Sequence, residues 1–178
     1  MDEINKLTSY VDDNEQLLLF LKLALCIGAR FETLNQIKKK DINIESKMIT
    51  LTDFKNKSTY KGFITDDIIP LIIERLEYLE INDYLLNYHD TKDLRSKIAK
   101  MYKPILDQLF NEGLDKSDSK NRVVIHTFRH TFASHLAING TPIYTIQKLM
   151  NHKDITMTMR YAKLAPDSGQ SQVNELYK

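Results

Sequence analysis

The chain has 178 residues, 42% of them hydrophobic, enough for one domain with a real core. Its 25 basic and 24 acidic side chains leave a formal charge of +1, so composition neither demands a nucleic-acid partner nor excludes one. The single cysteine, Cys26, excludes an intramolecular disulfide, the apolar run around it is interrupted by Lys22 and too short to span a bilayer, and Met1–Thr8 lacks the order of a secretory signal; the chain reads as cytoplasmic.

Residues 1–14 are polar and mixed in charge and read as a lead-in or linker, with Asp12, Asp13 and Asn14 as caps for a helix starting near Glu15. From Gln16 to Ile27 apolar residues run almost without gaps, which predicts a helix buried on most sides. Gly28 ends it or marks a close backbone approach. Arg30 follows, between that helix and a second helical pattern carrying Leu34 and Ile37. Position alone leaves Arg30 either a functional cation or a side chain that snorkels or pairs with Glu32. Asp41–Leu51 alternates apolar and polar residues around a Glu45–Lys47 turn, predicting a hairpin, and Tyr60–Thr65 is a third strand. The polar connection between them presents Lys55 and Lys57 at an exposed tip, where solubility is the ordinary role of a lysine.

From Asp66 the pattern turns helical, with Asp66 or Asp67 as cap, Pro70 in the first turn, and Leu71, Ile72, Leu76 and Leu79 toward the core. Asn82–Asp93 reads as a loop, Leu94–Leu109 as a helix despite Pro104, and Leu114–Arg122 as a polar loop. A helix from about Thr127 to Asn139 places Phe128, Phe132 and Leu136 on its buried stripe. Gly140 ends it, and Thr141–Pro142 start another that runs to about Met150. Asn151 then stands where a left-handed backbone is expected. A last main helix starts near Asp154 and carries Tyr161; Pro166–Gln172 reads as loop and Val173–Lys178 as a short terminal helix. No internal repeat and no Gly-rich phosphate loop is present.

Charge is unevenly spread. Acids dominate from Glu74 to Asp93, whereas Lys120, Arg122, Arg129, Lys148, Lys153, Arg160 and Lys163 face only Asp154, which predicts a locally basic face. Within that region His126 and Arg129 are three apart and share a helix face. An arginine fork matches two phosphate oxygens, and a nearby histidine can exchange a proton with the same group or donate to it. The plainer reading is a pair of partly buried helix residues bonded to nearby loops. His126 and His130 also have the i, i+4 spacing of a zinc helix, but Thr127 stands where a metalloprotease needs Glu and no third ligand is evident, so the metal reading is set aside.

HTFRHTFASHL, then GTPIYTIQKLMNH, then Tyr161 nine residues after that histidine, together resemble the C-terminal half of a tyrosine recombinase of the phage integrase family. Gly28–Arg30 resembles that family's first arginine box, and FKNKSTYKGFITDD its lysine-bearing hairpin; the resemblance extends from about Glu15 to Leu164. It implies an α+β fold, mainly α-helical, with a small three-stranded antiparallel sheet. It further implies a catalytic domain over residues 15–178, with the family's N-terminal DNA-clamping domain absent. By position, Arg30 and Arg129 would clamp the scissile phosphate and His126 would handle a proton. Lys55, with Lys57 as the alternative, would protonate the departing deoxyribose oxygen, His152 would donate to the phosphate, and Tyr161 would attack it. The implied chemistry is site-specific DNA recombination through a 3′-phosphotyrosyl intermediate, without cofactor, metal or ATP, on a double-stranded DNA site bound by a homotetramer. Two other functions remain open, relaxation of supercoils as in a type IB topoisomerase and sequence-specific DNA binding through Thr127–Met150. Two positions depart from the family pattern. Thr33 stands where an acid usually follows the first arginine, with Glu32 one residue earlier, and Asn151 replaces a common glycine.

Overall fold

The nearly unbroken apolar run after Asn14 becomes the central helix of the fold. The structure, a computed structural model, describes residues 2–55, 57–88, 93–166, 173, 174 and 176. Helix α2, Glu15–Ile27, starts where the Asn14 side chain accepts from the Leu17 N–H and stops at Gly28, whose φ of 63° turns the chain left-handed. It touches α1 (Asp2–Val11), α3 (Phe31–Leu34), α5 (Leu94–Phe110) and α6 (Ile125–Ile138). Phe20 of α2 is fully buried among the rings of Phe31, Tyr102 and Phe128, with centroids 5.5, 5.3 and 6.4 Å away. Each such side chain contributes roughly 1.5–3 kcal/mol of burial. The Tyr102 hydroxyl, also buried, donates to the Leu17 carbonyl at 2.6 Å and ties α5 to α2.

A small antiparallel sheet lies on one side, in the order β1 (Ile42–Asn43), β2 (Met48–Asp53), β3 (Ser58–Phe63). The register pairs Ile49 with Gly62, Leu51 with Tyr60 and Asp53 with Ser58, so these six residues share one face. That face is buried at Ile49, Leu51 and Asp53. Helix α4 (Ile69–Glu77) follows, and after α6 come α7 (Ile143–Leu149) and α8 (Thr156–Met159). The expected class, mainly helical α+β with a three-stranded sheet, is the one observed. Among the described residues no helix is long and apolar enough to cross a membrane.

Several expectations fail in detail. The presumed lead-in is α1, which packs on α2 and buries Leu7 and Val11. Neither Asp66 nor Asp67 caps α4; the N-cap is Ile68, while Asp67 binds Lys22 and Thr65, and Asp66 binds Lys47. The stretch after Asn82 is a loop, but an anchored one, with Leu85 and Leu86 buried and Arg75 donating to the carbonyls of Leu85 and Asn87. On α6 the buried stripe is Phe128, Arg129, Ala133 and Ala137, and Phe132 and Leu136 are only partly covered. The last main helix does not form. Helix α8 has four residues, and Tyr161 sits in the turn between it and a 3-10 helix, Ala162–Leu164. The loop expected at Pro166–Gln172 and most of the terminal helix lie outside the described residues.

Candidate active site

Gly28 positions the first cation. A Cβ on Gly28 would lie 2.0 Å from the Phe132 ring, so α2 and α6 can meet here only because this residue has none. The turn it makes delivers Arg30, whose side chain is 15% exposed, against Asp53 at the end of β2. Arg30 thus neither snorkels nor pairs with Glu32, the plainer alternatives its position allowed; Glu32 binds Arg95 at 3.2 Å, with both side chains exposed. Asp53 is 1% exposed and also accepts from the Asn151 amide at 3.1 Å. Asn151 adopts the expected left-handed conformation, φ 49°, and its amide also donates to Ser58 Oγ at 3.0 Å. Where the family has a glycine, this chain thus has a side chain that pins the loop after α7 to the lysine-bearing hairpin.

Arg129, 4% exposed, is fixed by backbone. Its Nη1 donates to the Gly28 carbonyl at 2.6 Å and its Nη2 to the Met150 carbonyl at 2.5 Å, linking α6 to the ends of α2 and α7. Burial, then the charge of Arg30, lowers its pKa to about 10, which leaves it protonated at neutral pH. Two held guanidiniums therefore influence one another across the site, with Asp53 as the acid between them. The Tyr60 hydroxyl is buried near Arg129. Its pKa is pushed up to about 12 by burial above all, against the opposing charge of Arg129.

The histidines line the same region. His126, at the start of α6, stands exposed at the lip of a groove of about 900 Å³ whose walls also include Arg30, Asp53 and Lys55. Desolvation by those walls, then Arg129 and Arg30, hold its pKa below 6.5. His152 is half-buried, its Nδ1 2.8 Å from the Thr158 hydroxyl, and burial followed by Arg129 and Arg30 lowers its pKa to about 4. Lys55 and Lys57 are both exposed at the hairpin tip; Lys55 faces the groove, whereas Lys57 has φ 50° and is not among the groove's lining residues. Tyr161 is 4% exposed and packs with Ala133, Ala137, Ile146 and Met150. Its hydroxyl lies 2.5 Å from His130 Nδ1. Burial raises the phenol's pKa, opposed by Arg160 and Arg129.

Of the six residues singled out in the sequence, Arg30, Lys55 and His126 line the groove, Arg129 and His152 lie close enough to feel the neighbouring charges, and Tyr161 does not line the groove but packs behind it, its hydroxyl on His130. Sequence reasoning missed Asp53, Asn151 as a bonding side chain, and His130 as the partner of Tyr161. For Asp53 a signal existed, since Ile49, Leu51 and Asp53 alternate onto one face of β2 and the third member is an acid. Two fixed arginines beside neutral imidazoles and a phenol can bind a bidentate oxyanion and transfer protons around it. Among the described residues no three His, Cys, Asp or Glu side chains are grouped to hold a metal.

A model of the phage integrase family matches residues 1–167, nearly the whole chain. The chain belongs to the phage integrase family. It is similar to the tyrosine recombinase XerA of Thermococcus onnurineus, 28% identical over 169 residues that make up 92% of this chain and 56% of that protein. It is similar also to XerA of Saccharolobus solfataricus, 31% identical over 84% of this chain and 46% of the relative. The chain therefore spans about half the length of these curated relatives. Among solved structures, the catalytic domain of bacteriophage HP1 integrase superposes with a TM-score of 0.70 at 25% identity, covering 99% of this chain and 92% of that one. XerH recombinase bound to its difH substrate shares the fold, with a TM-score of 0.68 at 19% identity over 99% of this chain and 53% of that one.

Proposed function

We propose that this integrase-family chain is the catalytic domain of a site-specific DNA recombinase, which breaks and rejoins duplex DNA by transesterification through Tyr161. Arg30 and Arg129 bind the two non-bridging oxygens of the scissile phosphate. His126 and His152, neutral near pH 7, donate hydrogen bonds to the same group. Tyr161 attacks phosphorus to form a 3′-phosphotyrosyl ester, and Lys55 protonates the departing 5′ deoxyribose oxygen. Because the ester keeps the energy of the phosphodiester, a 5′ hydroxyl from another strand reverses the attack with neither ATP nor metal. A phenol of pKa about 10 or above is a poor nucleophile in water, and cations that disperse developing charge, together with in-line placement, supply what it lacks. The chain works in the cytoplasm, as a homotetramer on its DNA site.

The observation that carries this reading is the Tyr161 hydroxyl held on His130, the residue next to Arg129, which is itself buried and fixed by two carbonyls. The relatives' activity and the solution of XerH on DNA support duplex DNA as the partner. Recombination is tested on a plasmid carrying two copies of a site selected by this chain from a randomised duplex pool. Deletion or inversion between the copies is expected. Relaxation of single-site plasmids with no such product would favour the topoisomerase reading instead.

A further inference from the structure

Tyr161 must lose a proton as it attacks, and the resemblance, which gives His126 the handling of a proton, does not say which imidazole takes this one. His126 is exposed and lines the groove, with its ring against His130 rather than Tyr161, and His152 Nδ1 is engaged by Thr158. His130 is placed differently. It follows Arg129 directly on α6, one turn beyond His126, and its Nδ1 lies 2.5 Å from the Tyr161 oxygen. The His126 ring meets the His130 ring edge-on, with centroids 4.8 Å apart, and helps fix its rotation. We propose that His130 is the general base that takes the Tyr161 hydroxyl proton during strand cleavage and returns it on rejoining.

This rests on the recombinase reading and completes its proton balance. The Tyr161 oxygen forms its bond to phosphorus while its proton moves to His130 Nδ1; the bond from phosphorus to the 5′ oxygen breaks, and that oxygen takes a proton from Lys55. Rejoining runs every transfer backwards. A base must be unprotonated before the step, and His130 meets that condition. Burial, then the charges of His126, Arg160 and Arg129, keep its pKa below 6.5. The groups that face it are His126 and Arg129 on its own helix, and Arg160 and Tyr161 from the turn after α8. Glu3 of α1 and His135 line the cleft into which it opens. The imidazolium formed is offset by the charge that the phosphoryl group carries in the transition state.

Two measurements test the assignment. In the free chain, long-range ¹H–¹⁵N spectra of histidine report the tautomer without any DNA. The Nε2–H form of His130, with Nδ1 accepting, is expected, together with an Nδ1 shift change in Tyr161→Phe. The Nδ1–H form would overturn the proposal, since that nitrogen would then donate to the phenol. In single-turnover cleavage of a nicked duplex from the selected pool, His130→Ala should slow adduct formation by about 10²–10⁴-fold. The variant's rate should climb with pH where wild type is flat, and added imidazole should restore part of it, whereas DNA affinity should stay unchanged. A wild-type rate and pH profile in His130→Ala overturns the proposal and leaves the recombinase reading intact. A faster variant does the same, showing that the contact only restrains Tyr161. No adduct from the wild-type chain removes the recombinase reading and the base role with it, whatever the tautomer.

Discussion

Replacing Asp53 by Asn removes a charge and keeps the volume. Asp53 is 1% exposed and holds Arg30, whose side chain keeps only 15% of its exposure. Removing one partner of a buried ion pair costs roughly 3–5 kcal/mol, because the other charge stays desolvated without compensation. Here the remaining exposure of Arg30 and the neutral hydrogen bond that Asn can still accept reduce the loss to about 2–4 kcal/mol. For a chain of this size that corresponds to a fall in Tm of roughly 5–15 °C. Urea titration of wild type, Asp53→Asn, Arg30→Gln and the double variant supplies the assay. Asp53→Asn should cost at least about 1.5 kcal/mol less in the Arg30→Gln background, the mark of direct coupling. Glu32→Ala, whose partner Arg95 is exposed, should change stability by no more than about 0.5 kcal/mol. A loss at Asp53 below about 0.5 kcal/mol, the same loss with and without Arg30, or a comparable loss at Glu32 would refute the assignment of Asp53 as the counter-ion.

Gly28→Ala should destabilise by roughly 2–4 kcal/mol in thermal or urea unfolding, since it puts a Cβ 2.0 Å from the Phe132 ring at φ 63°. Adding Phe132→Ala to that variant should recover part of the loss, because the clash disappears and only the strain and a cavity remain. Stability should decline on acidification through His152. Its folded pKa of about 4 lies below the unfolded 6.5, so between these values the unfolded chain binds more protons, and the contribution is complete above pH 6.5 and lost as pH falls toward 4. Urea unfolding across pH 4–7 should therefore be flatter in His152→Gln than in wild type; parallel curves would contradict the shift.

Much of the fold could be read from local pattern. The limits of α2, the Gly28 break, the paired strands and the left-handed Asn151 each follow from residues within a few positions of one another. What escaped depends on contacts distant in sequence. For Arg30 the only acid near in sequence was Glu32, yet the carboxylate comes from Asp53, supplied by a strand that the sheet register brings alongside. Residues 1–14 looked like a linker because polar residues outnumber apolar ones there, although Ile4, Leu7 and Val11 have helical spacing and two of them are buried by α1 on α2. His130 was weighed only as a metal ligand with His126. Its link to Tyr161 exists because the chain turns back after α7 and sets the tyrosine in a short turn rather than on a helix. The motifs named six candidate residues, and the network of contacts around them was not legible from sequence.

The most direct measurement is capture of the phosphotyrosyl bond itself. The chain is incubated with nicked duplex from the selected pool, denatured, digested with protease and nuclease, and analysed by mass spectrometry. A nucleotide joined through its 3′ phosphate to the peptide containing Tyr161, and lost in Tyr161→Phe, is the expected result. Absence of any adduct, an adduct on another residue such as Tyr60 or Tyr144, or one that persists in Tyr161→Phe would contradict Tyr161 as the nucleophile.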